Sequence, residues 1–496
     1  MKITGGYGRK PILFFSALIF LGSLSAAGAA DSAPEQLARE ILDTCGVNGG
    51  LVVQIGCGDG RLTAALRAND SYIVHGLDRD ATKVKQARRY IQNLGLYGEV
   101  SVARLKGTRL SYADNMVKLL IAEEHAGISK AEVMRVLAPR GTAYLRQSGK
   151  WVKTVKSWPE DIDEWTHWLH DASGNAVARD KVVGPPRHLQ WVAKPLWQRH
   201  HDTVPSTTAM VSAGGRLFYI SDEAPPGLDA SVPDKWYLVA RDAFNGLPLW
   251  KRPISEWGWS QWSADWKGRF NEPPQLPKRL VAAGDKVYVT LNFNAPLTAL
   301  DAATGKVLRV YEGTSGTDEI LYRDGLLVLS MNQEARKPSK EAQPPVNKSI
   351  CVIEADTGKV LWEKGDYSGL RGKFNSTDPF GRLELALGGD GVFLVDHDAI
   401  LSLDVKSGDR RWRIPRPTIA EHQIMYGVRM SDMCVMLYQD GVVLFAQPEM
   451  KKKRSWQTLP GTLYAYRAET GELLWKHQYG AWSHNWQPDV FAVDGL

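Results

Sequence analysis

Five copies of one short motif dominate the second half of the chain. They read Asp-Ala-Phe-Asn-Gly-Leu-Pro-Leu-Trp at 242–250, Asp-Ala-Ala-Thr-Gly-Lys-Val-Leu-Arg at 301–309 and Glu-Ala-Asp-Thr-Gly-Lys-Val-Leu-Trp at 354–362. Asp-Val-Lys-Ser-Gly-Asp-Arg-Arg-Trp follows at 404–412 and Arg-Ala-Glu-Thr-Gly-Glu-Leu-Leu-Trp at 467–475. Gly246, Gly305, Gly358, Gly408 and Gly471 share one column, preceded by Asn245, Thr304, Thr357, Ser407 and Thr470. Trp250, Trp362, Trp412 and Trp475 stand four places later, and Arg309 breaks that column. Each copy lies between two apolar runs, which predicts a strand, a tight turn and a strand. The glycine supplies the positive φ of the turn, and the small polar residue before it hydrogen-bonds the turn backbone. The indole on the outgoing strand is large enough to pack on the next repeat. Small antiparallel sheets that cannot bury both faces alone stack radially, so the pattern predicts a β-propeller.

The motif resembles the quinoprotein-type repeat of pyrroloquinoline quinone dehydrogenases and of BamB-like propellers, over roughly residues 160–496. That resemblance implies a propeller of about eight blades, and it does not by itself imply the quinone. The blades are expected to open on Gly214–Ile220, Gly284–Thr290, Asp324–Ser330 and Asp390–Val395, with Asp440–Phe445 in the fifth. Residues 257–278, rich in Trp and Pro, and the polar stretch 332–348 are expected to be surface loops. Residues 494–496 repeat the Asp-Gly-Leu seen at 324–326, the expected start of a sixth blade. The expectation is therefore five blades plus a stub, an incomplete ring and a fragment of a longer propeller. The segment Asp163–Asn175 with Val183–Trp191 resembles the Trp-rich strap that opens quinoprotein-like propellers.

The first third alternates differently. Residues 31–50 read as a short helix followed by a turn ending in Gly49-Gly50. Strands are expected at Leu51–Ile55, Tyr72–Leu77, Val100–Leu105, Met116–Ala122 and Thr142–Leu145, with helices at Arg61–Ala68, Ala81–Leu94 and Lys130–Leu137. Alternating β and α elements predict a parallel, Rossmann-like sheet. Gly56, Gly58 and Gly60 occupy the first crossover, where glycines let backbone approach a ligand and helix N–H groups point at it. Asp78 closes the next strand, where an acid accepts from ribose hydroxyls. The glycine spacing is not that of dinucleotide enzymes. It resembles motif I of class I S-adenosylmethionine-dependent methyltransferases, and Leu110–Asn115 and Arg135–Gly141 resemble later motifs of that family, over residues 36–147. The resemblance implies that Gly56, Gly58, Gly60 and Asp78 bind S-adenosylmethionine. The chain departs from it in three places. Gln54 and Lys118 stand where the family commonly carries acids, and no acid lies near Gly107-Thr108 to meet an adenine amine. The last two strands of the family's sheet are expected to be missing.

Lys2, Arg9 and Lys10 precede an apolar stretch from Ile12 to Leu24, followed by Ala27-Gly28-Ala29. That is the pattern of a secretory signal peptide, too short for a comfortable membrane span. It predicts a periplasmic or secreted protein, or an N-terminal anchor if the segment is uncleaved, with no other span. The formal charge is +6, and loss of a leader with three basic residues and no acid leaves +3. Such a balance gives no electrostatic case for nucleic acid. Lys451–Arg454 reads as a solvated loop tip. Of the four cysteines, Cys351 and Cys434 fall in apolar strands, and a Cys45–Cys57 bridge is allowed but not required. His167, His170, His200 and His201, with Asp171 and Asp202, are of types that suit zinc. No helix places them on one face, so hydrogen-bonded strap residues are the reading adopted and no metal is assigned.

The chain therefore reads as a signal peptide at 1–30, a shortened methyltransferase-like α/β domain at 31–150, a linker and strap at 151–205 and a propeller at 206–496. The expected function is a secreted binding or scaffold protein, with a degenerate methyltransferase-like domain, that meets envelope proteins or glycans at its propeller face, with 257–278 as one contact surface. The alternatives are a quinoprotein-like oxidoreductase using pyrroloquinoline quinone and Ca²⁺, and an S-adenosylmethionine-dependent methyltransferase. Neither domain offers a full set of assignable catalytic residues, and the vicinal cysteine pair common in quinoproteins is absent.

Overall fold

A computed structural model describes residues 33–123, 127–182, 184–185, 189–195, 206–225, 233–261, 275–333, 347–370, 381–417, 424–425, 428–429, 434–448, 459–481 and 490–494. The leader, His200, His201, Asp202, Lys451–Arg454 and the middles of both predicted loops lie outside the described residues.

The N-terminal unit runs α1 (Ala33–Cys45), β1 (Gly50–Ile55), α2 (Arg61–Ala65), β2 (Tyr72–Asp78), α3 (Ala81–Asn93), β3 (Val100–Arg104), β4 (Val117–Ala122), α4 (Lys130–Val136), β5 (Leu137–Gln147) and β6 (Lys150–Val155). The sheet order is β3-β2-β1-β4-β5-β6. β1 to β5 pair in parallel and β6 returns antiparallel along β5. β1 and β4 are central and buried on both faces, which is why they read as continuous apolar runs. α1, α2 and α3 bury Ile41, Leu42, Ala64, Val84, Ala87 and Ile91 on one face of the sheet. β5 is longer than its sequence suggests, and the chain does not leave the sheet at Leu145. Ser148-Gly149 turns it back into β6, where Trp151 stacks on Tyr144 at 4.8 Å. The Cys45–Cys57 bridge that the sequence allowed does not form, and both thiols are free and buried.

Five four-stranded antiparallel sheets follow, as expected of propeller blades. They are β7–β10 (207–253), β11–β14 (280–310), β15–β18 (317–367), β19–β22 (384–415) and β25–β28 (435–481), with a short pair β23–β24 at 424–429. The predicted blade openings prove to be second strands (β8, β12, β16, β20 and β26), each preceded by a first strand. The Gly-Gly, Gly-Asp and Asp-Gly pairs are the hairpin turns between first and second strands. Asp324 and Asp440 hold φ of 49° and 45° there, and Asp494 holds 48°. The motif is the turn between third and fourth strands. In all five copies the glycine N–H donates to the carbonyl four residues earlier at 2.8 Å, with glycine φ of 69–78°.

The indole column does what the sequence predicts. Trp250, Trp362 and Trp412 lie flat on the motif glycine of the following blade, on Gly305, Gly408 and Gly471. A Cβ on any of these glycines would fall within 2.8 Å of the ring. Each indole N–H also donates to the backbone of that blade, at Ala302, Val405 and Ala468, over 2.9–3.0 Å. Where Arg309 breaks the column, its guanidinium covers Gly358 and donates to Asp356 O at 3.1 Å. Tyr311 takes over the second bond, to Ala355 O at 2.6 Å. The first blade receives its indole from the strap: Trp191 lies on Gly246 and donates to Ala243 O at 3.1 Å.

The strap organises the hub. The residue two before each first hairpin turn donates its backbone N–H to this one segment. Ser212 donates to Trp165 O, Ala282 to Thr166 O, Leu387 to Ala172 O and Tyr438 to Ser173 O, over 2.7–3.0 Å. Tyr322 of the third blade donates to His167 Nε2 at 2.9 Å. Ala492, at the same register before Asp494, donates to Asn175 Oδ1 at 3.1 Å, and Asn175 Nδ2 donates back to Ala492 O at 2.9 Å. Five sheets and one extended segment thus attach in chain order to a single spindle. Neighbouring first strands β7 and β11, β11 and β15, and β19 and β25 pack on one another around it.

The indole contacts predict an asymmetric response to truncation. Trp412→Ala should cost about 3–5 kcal/mol in chemical denaturation, as for other buried aromatic truncations. Trp475 is 47% exposed against 8% for Trp412, so Trp475→Ala should cost about 1 kcal/mol or less.

Candidate functional site

Gly56, Gly58 and Gly60 adopt φ of 80°, 54° and 86° between β1 and α2. A Cβ on Gly56 or Gly58 would meet nothing within 4 Å, whereas one on Gly60 would lie 2.8 Å from Ala87 Cβ of α3. The first two glycines are thus required by backbone conformation and the third by helix packing. Asp78 at the end of β2 joins the same loop, its Oδ2 accepting from Gly58 N at 3.1 Å and its Oδ1 from Asp80 N at 3.0 Å. The structure therefore brings Gly56, Gly58, Gly60 and Asp78 together at the carboxyl ends of β1 and β2.

Most of the loop's backbone donors are engaged within the loop and with Leu77 and Asp78. Gly56 N and Cys57 N both donate to Leu77 O, Gly60 N donates to Cys57 O and Arg61 N donates to Asp59 Oδ1. Gln54 is buried, and its Oε1 accepts from Thr63 Oγ1 at 2.7 Å, so a neutral amide seals the place of the missing acid. Cys57 is buried beside Asp78, and burial first, then that carboxylate, pushes its thiol up to about 12. Arg79 crosses toward the β3 loop and donates to Gly107 O at 2.9 Å. Thr63 and Arg79 had no signal in the sequence, because each acts on a partner remote in the chain.

Lys118 lies at the other end of the sheet. Ser71 Oγ donates to Leu249 O, Asn245 Nδ2 to Met116 O at 2.9 Å and Gln190 Nε2 to Asp114 O at 3.2 Å. The amino ends of the parallel strands are thereby seated on the first blade. Burial in this contact lowers the pKa of Lys118, and the nearby Asp242 is raised by its own burial. The lysine in place of an acid belongs to the contact between the two units, not to the glycine cleft.

A second polar cluster fills the hub. Lys278 Nζ lies 2.9 Å from Glu319 Oε1 and 3.4 Å from Glu384 Oε2, and Arg382 Nη1 donates to Glu384 Oε2 at 2.8 Å. A small cavity of about 20 Å³ separates this cluster from the strap, lined by His167, Asp171, Lys278, Glu319, Glu384 and apolar neighbours. Glu319 is 2% exposed, and its Oε2 has no hydrogen-bond partner among the described residues. Burial pushes its carboxyl up to about 7 against the pull of Lys278. Burial opposes the Lys278 ammonium, but Glu319 and Glu384 together hold its pKa above the usual value. His170 Nε2 meets Asp163 Oδ2 at 2.8 Å, and both nitrogens of His167 are engaged within the hub. Cys351 and Cys434 are buried in or beside different blades. Trp257, read as part of a surface loop, is wholly buried beside Phe293 and Arg279.

Residues 52–141 match the family model described as a methyltransferase domain, and residues 255–458 match the one described as outer membrane protein assembly factor BamB. The chain thus carries a methyltransferase-type domain of Rossmann-like fold followed by BamB-like, quinoprotein-type repeats. No curated protein matches. Among solved structures, a Methanococcus maripaludis protein described as an S-adenosyl-L-methionine-dependent methyltransferase is 21% identical over 23% of this chain and 53% of its own, at a TM-score of 0.21. The YcgJ protein of Bacillus subtilis is 21% identical over 22% and 49%, at 0.20. An Aquifex aeolicus SAM-dependent methyltransferase is 20% identical over 22% and 62%, at 0.20. The chain spans about half the length of the first of these.

The hub predicts a signed pH effect. A carboxyl raised by folding contributes stability below its unfolded pKa of 4.5 and loses it as pH rises toward 7. The stability of Glu319→Gln relative to the parent should therefore grow as pH rises from 4.5 toward 7, then level off. Denaturant titrations at several pH values read this difference directly.

Proposed function

We propose that the protein is an envelope-associated binding or scaffold protein whose repeat array supplies the contact surface, and whose methyltransferase-type domain is a structural module seated on the first blade. The observation that carries this reading is how the α/β domain spends its polar groups. The glycine loop engages most of its backbone donors internally and on β2, Gln54 is bound to Thr63, and the acid expected on β4 is a lysine in the interdomain contact. These residues do not fit a methyl donor's charged amino-acid portion, and no acid stands at Gly107-Thr108 for an adenine amine. The hub supports the same conclusion. Its strap and ion cluster leave a cavity too small for a tricyclic quinone together with its substrate, and its carboxylates already share Lys278 and Arg382. The BamB-type repeat match and the leader pattern support an envelope location. Among the described residues no helix is long and apolar enough to cross a membrane.

One observation favours a second reading, S-adenosylmethionine binding without transfer. Gly56 and Gly58 face open space and Asp78 stands beside them. Calorimetry on the full chain separates the two. The scaffold reading expects no heat with S-adenosylmethionine, or with pyrroloquinoline quinone plus Ca²⁺, and saturable capture of a partner from an envelope fraction. One-to-one binding of S-adenosylmethionine that is lost in Asp78→Ala would replace it with the second reading.

A further inference from the structure

Six backbone N–H groups at one register attach the blades and residue 492 to the strap, and their acceptors are not chemically alike. Four are carbonyl oxygens, of Trp165, Thr166, Ala172 and Ser173, and one is the amide oxygen of Asn175. None of these gains a proton in ordinary acid. The third blade alone is held by an imidazole nitrogen, His167 Nε2, which accepts only while it carries its lone pair. We propose that this contact is a proton-operated latch: protonation of His167 releases the third blade from the strap while the other blades stay attached.

The surroundings of His167 define both states. In the latched state its Nδ1 meets Thr166 Oγ1 at 2.8 Å, and that hydroxyl lies 3.1 Å from His170 O. This chain of bonds fixes the tautomer with the proton on Nδ1. The ring is 4% exposed, and burial pushes its pKa down to about 4, against the pull of Asp171 and with a push from His170. The other charged groups of the cavity are Glu319 from the third blade, Glu384 from the fourth and Lys278 ahead of the second. An imidazolium that lets go of Tyr322 N finds a carboxylate at Asp171 on the strap, and the unpartnered Oε2 of Glu319 lines the same cavity. Glu319 and Tyr322 lie on one strand, β15, so a released strand carries that carboxyl with it.

The latch is independent of what either domain binds, and site-resolved hydrogen exchange on the full chain tests it. The released imidazole titrates near 6.5 and the latched one near 4. Between those values, protection of the Tyr322 amide, corrected for intrinsic exchange, should fall about tenfold per pH unit. Ser212, Ala282, Leu387 and Tyr438 should hold their protection over the same range. His167→Gln, whose amide oxygen accepts without titrating, should flatten the Tyr322 profile. Constant protection of Tyr322 from pH 7 to 4 would overturn the latch, as would five amides that fall in parallel. The comparison among amides of the parent protein decides the matter even if the variant does not fold.

Discussion

An indole lying flat on a glycine is the contact on which the repeat array depends. A four-stranded sheet has two apolar faces and can bury neither alone, so each blade must find a neighbour on both sides. The motif glycine adopts a backbone conformation that disfavours other residues and also leaves bare the surface on which the next indole rests. One column of residues thus sets both the local turn and the packing between blades. The break at Arg309 bears this out. Its guanidinium covers the glycine, Tyr311 replaces the lost N–H bond, and the interface keeps its register.

The strap converts a row of blades into a hub. It was legible as a segment, from its tryptophans and histidines, but not as a spindle. Four of its six contacts come from main-chain carbonyls, which leave no mark in a sequence, and only His167 and Asn175 use side chains. The first strands were missed for a related reason. They begin with buried polar residues such as Asp318, Glu319 and Glu384, so they lack the alternation that marks a half-exposed strand. The apolar second strands behind them were read as the openings instead. In the α/β domain, the glycine loop and Asp78 were plain from local pattern. Thr63, Arg79 and the role of Lys118 were not, because each depends on a partner brought near only by folding. β6 escaped because Lys150 and Lys153 break its apolar character at an exposed sheet edge, where lysine also discourages further pairing.

The two units divide one sheet between them. The carboxyl ends of β1 and β2 carry the glycine cleft, and the amino ends of β1, β2 and β4 rest on the first blade. A ligand in the cleft would therefore sit at the end of the sheet opposite the one that rests on the first blade. Charged groups are handled in two ways. In the interdomain contact, Lys118 and Asp242 are both pushed toward neutrality by burial. In the hub, cations and carboxylates are interleaved so that each cation has an anion within reach. A buried charge left unpaired costs far more than a pair retains, so the hub is the place where a single substitution does most damage.

A double-mutant cycle between Trp412 and Gly471 tests the central contact most directly. In the parent, a methyl at Gly471 meets both the positive φ and the indole, whereas in Trp412→Ala only the backbone strain remains. The account predicts that Gly471→Ala costs at least about 1 kcal/mol less in the Trp412→Ala background than in the parent. Strictly additive costs would mean that the ring and the glycine do not share an interface, and would contradict it.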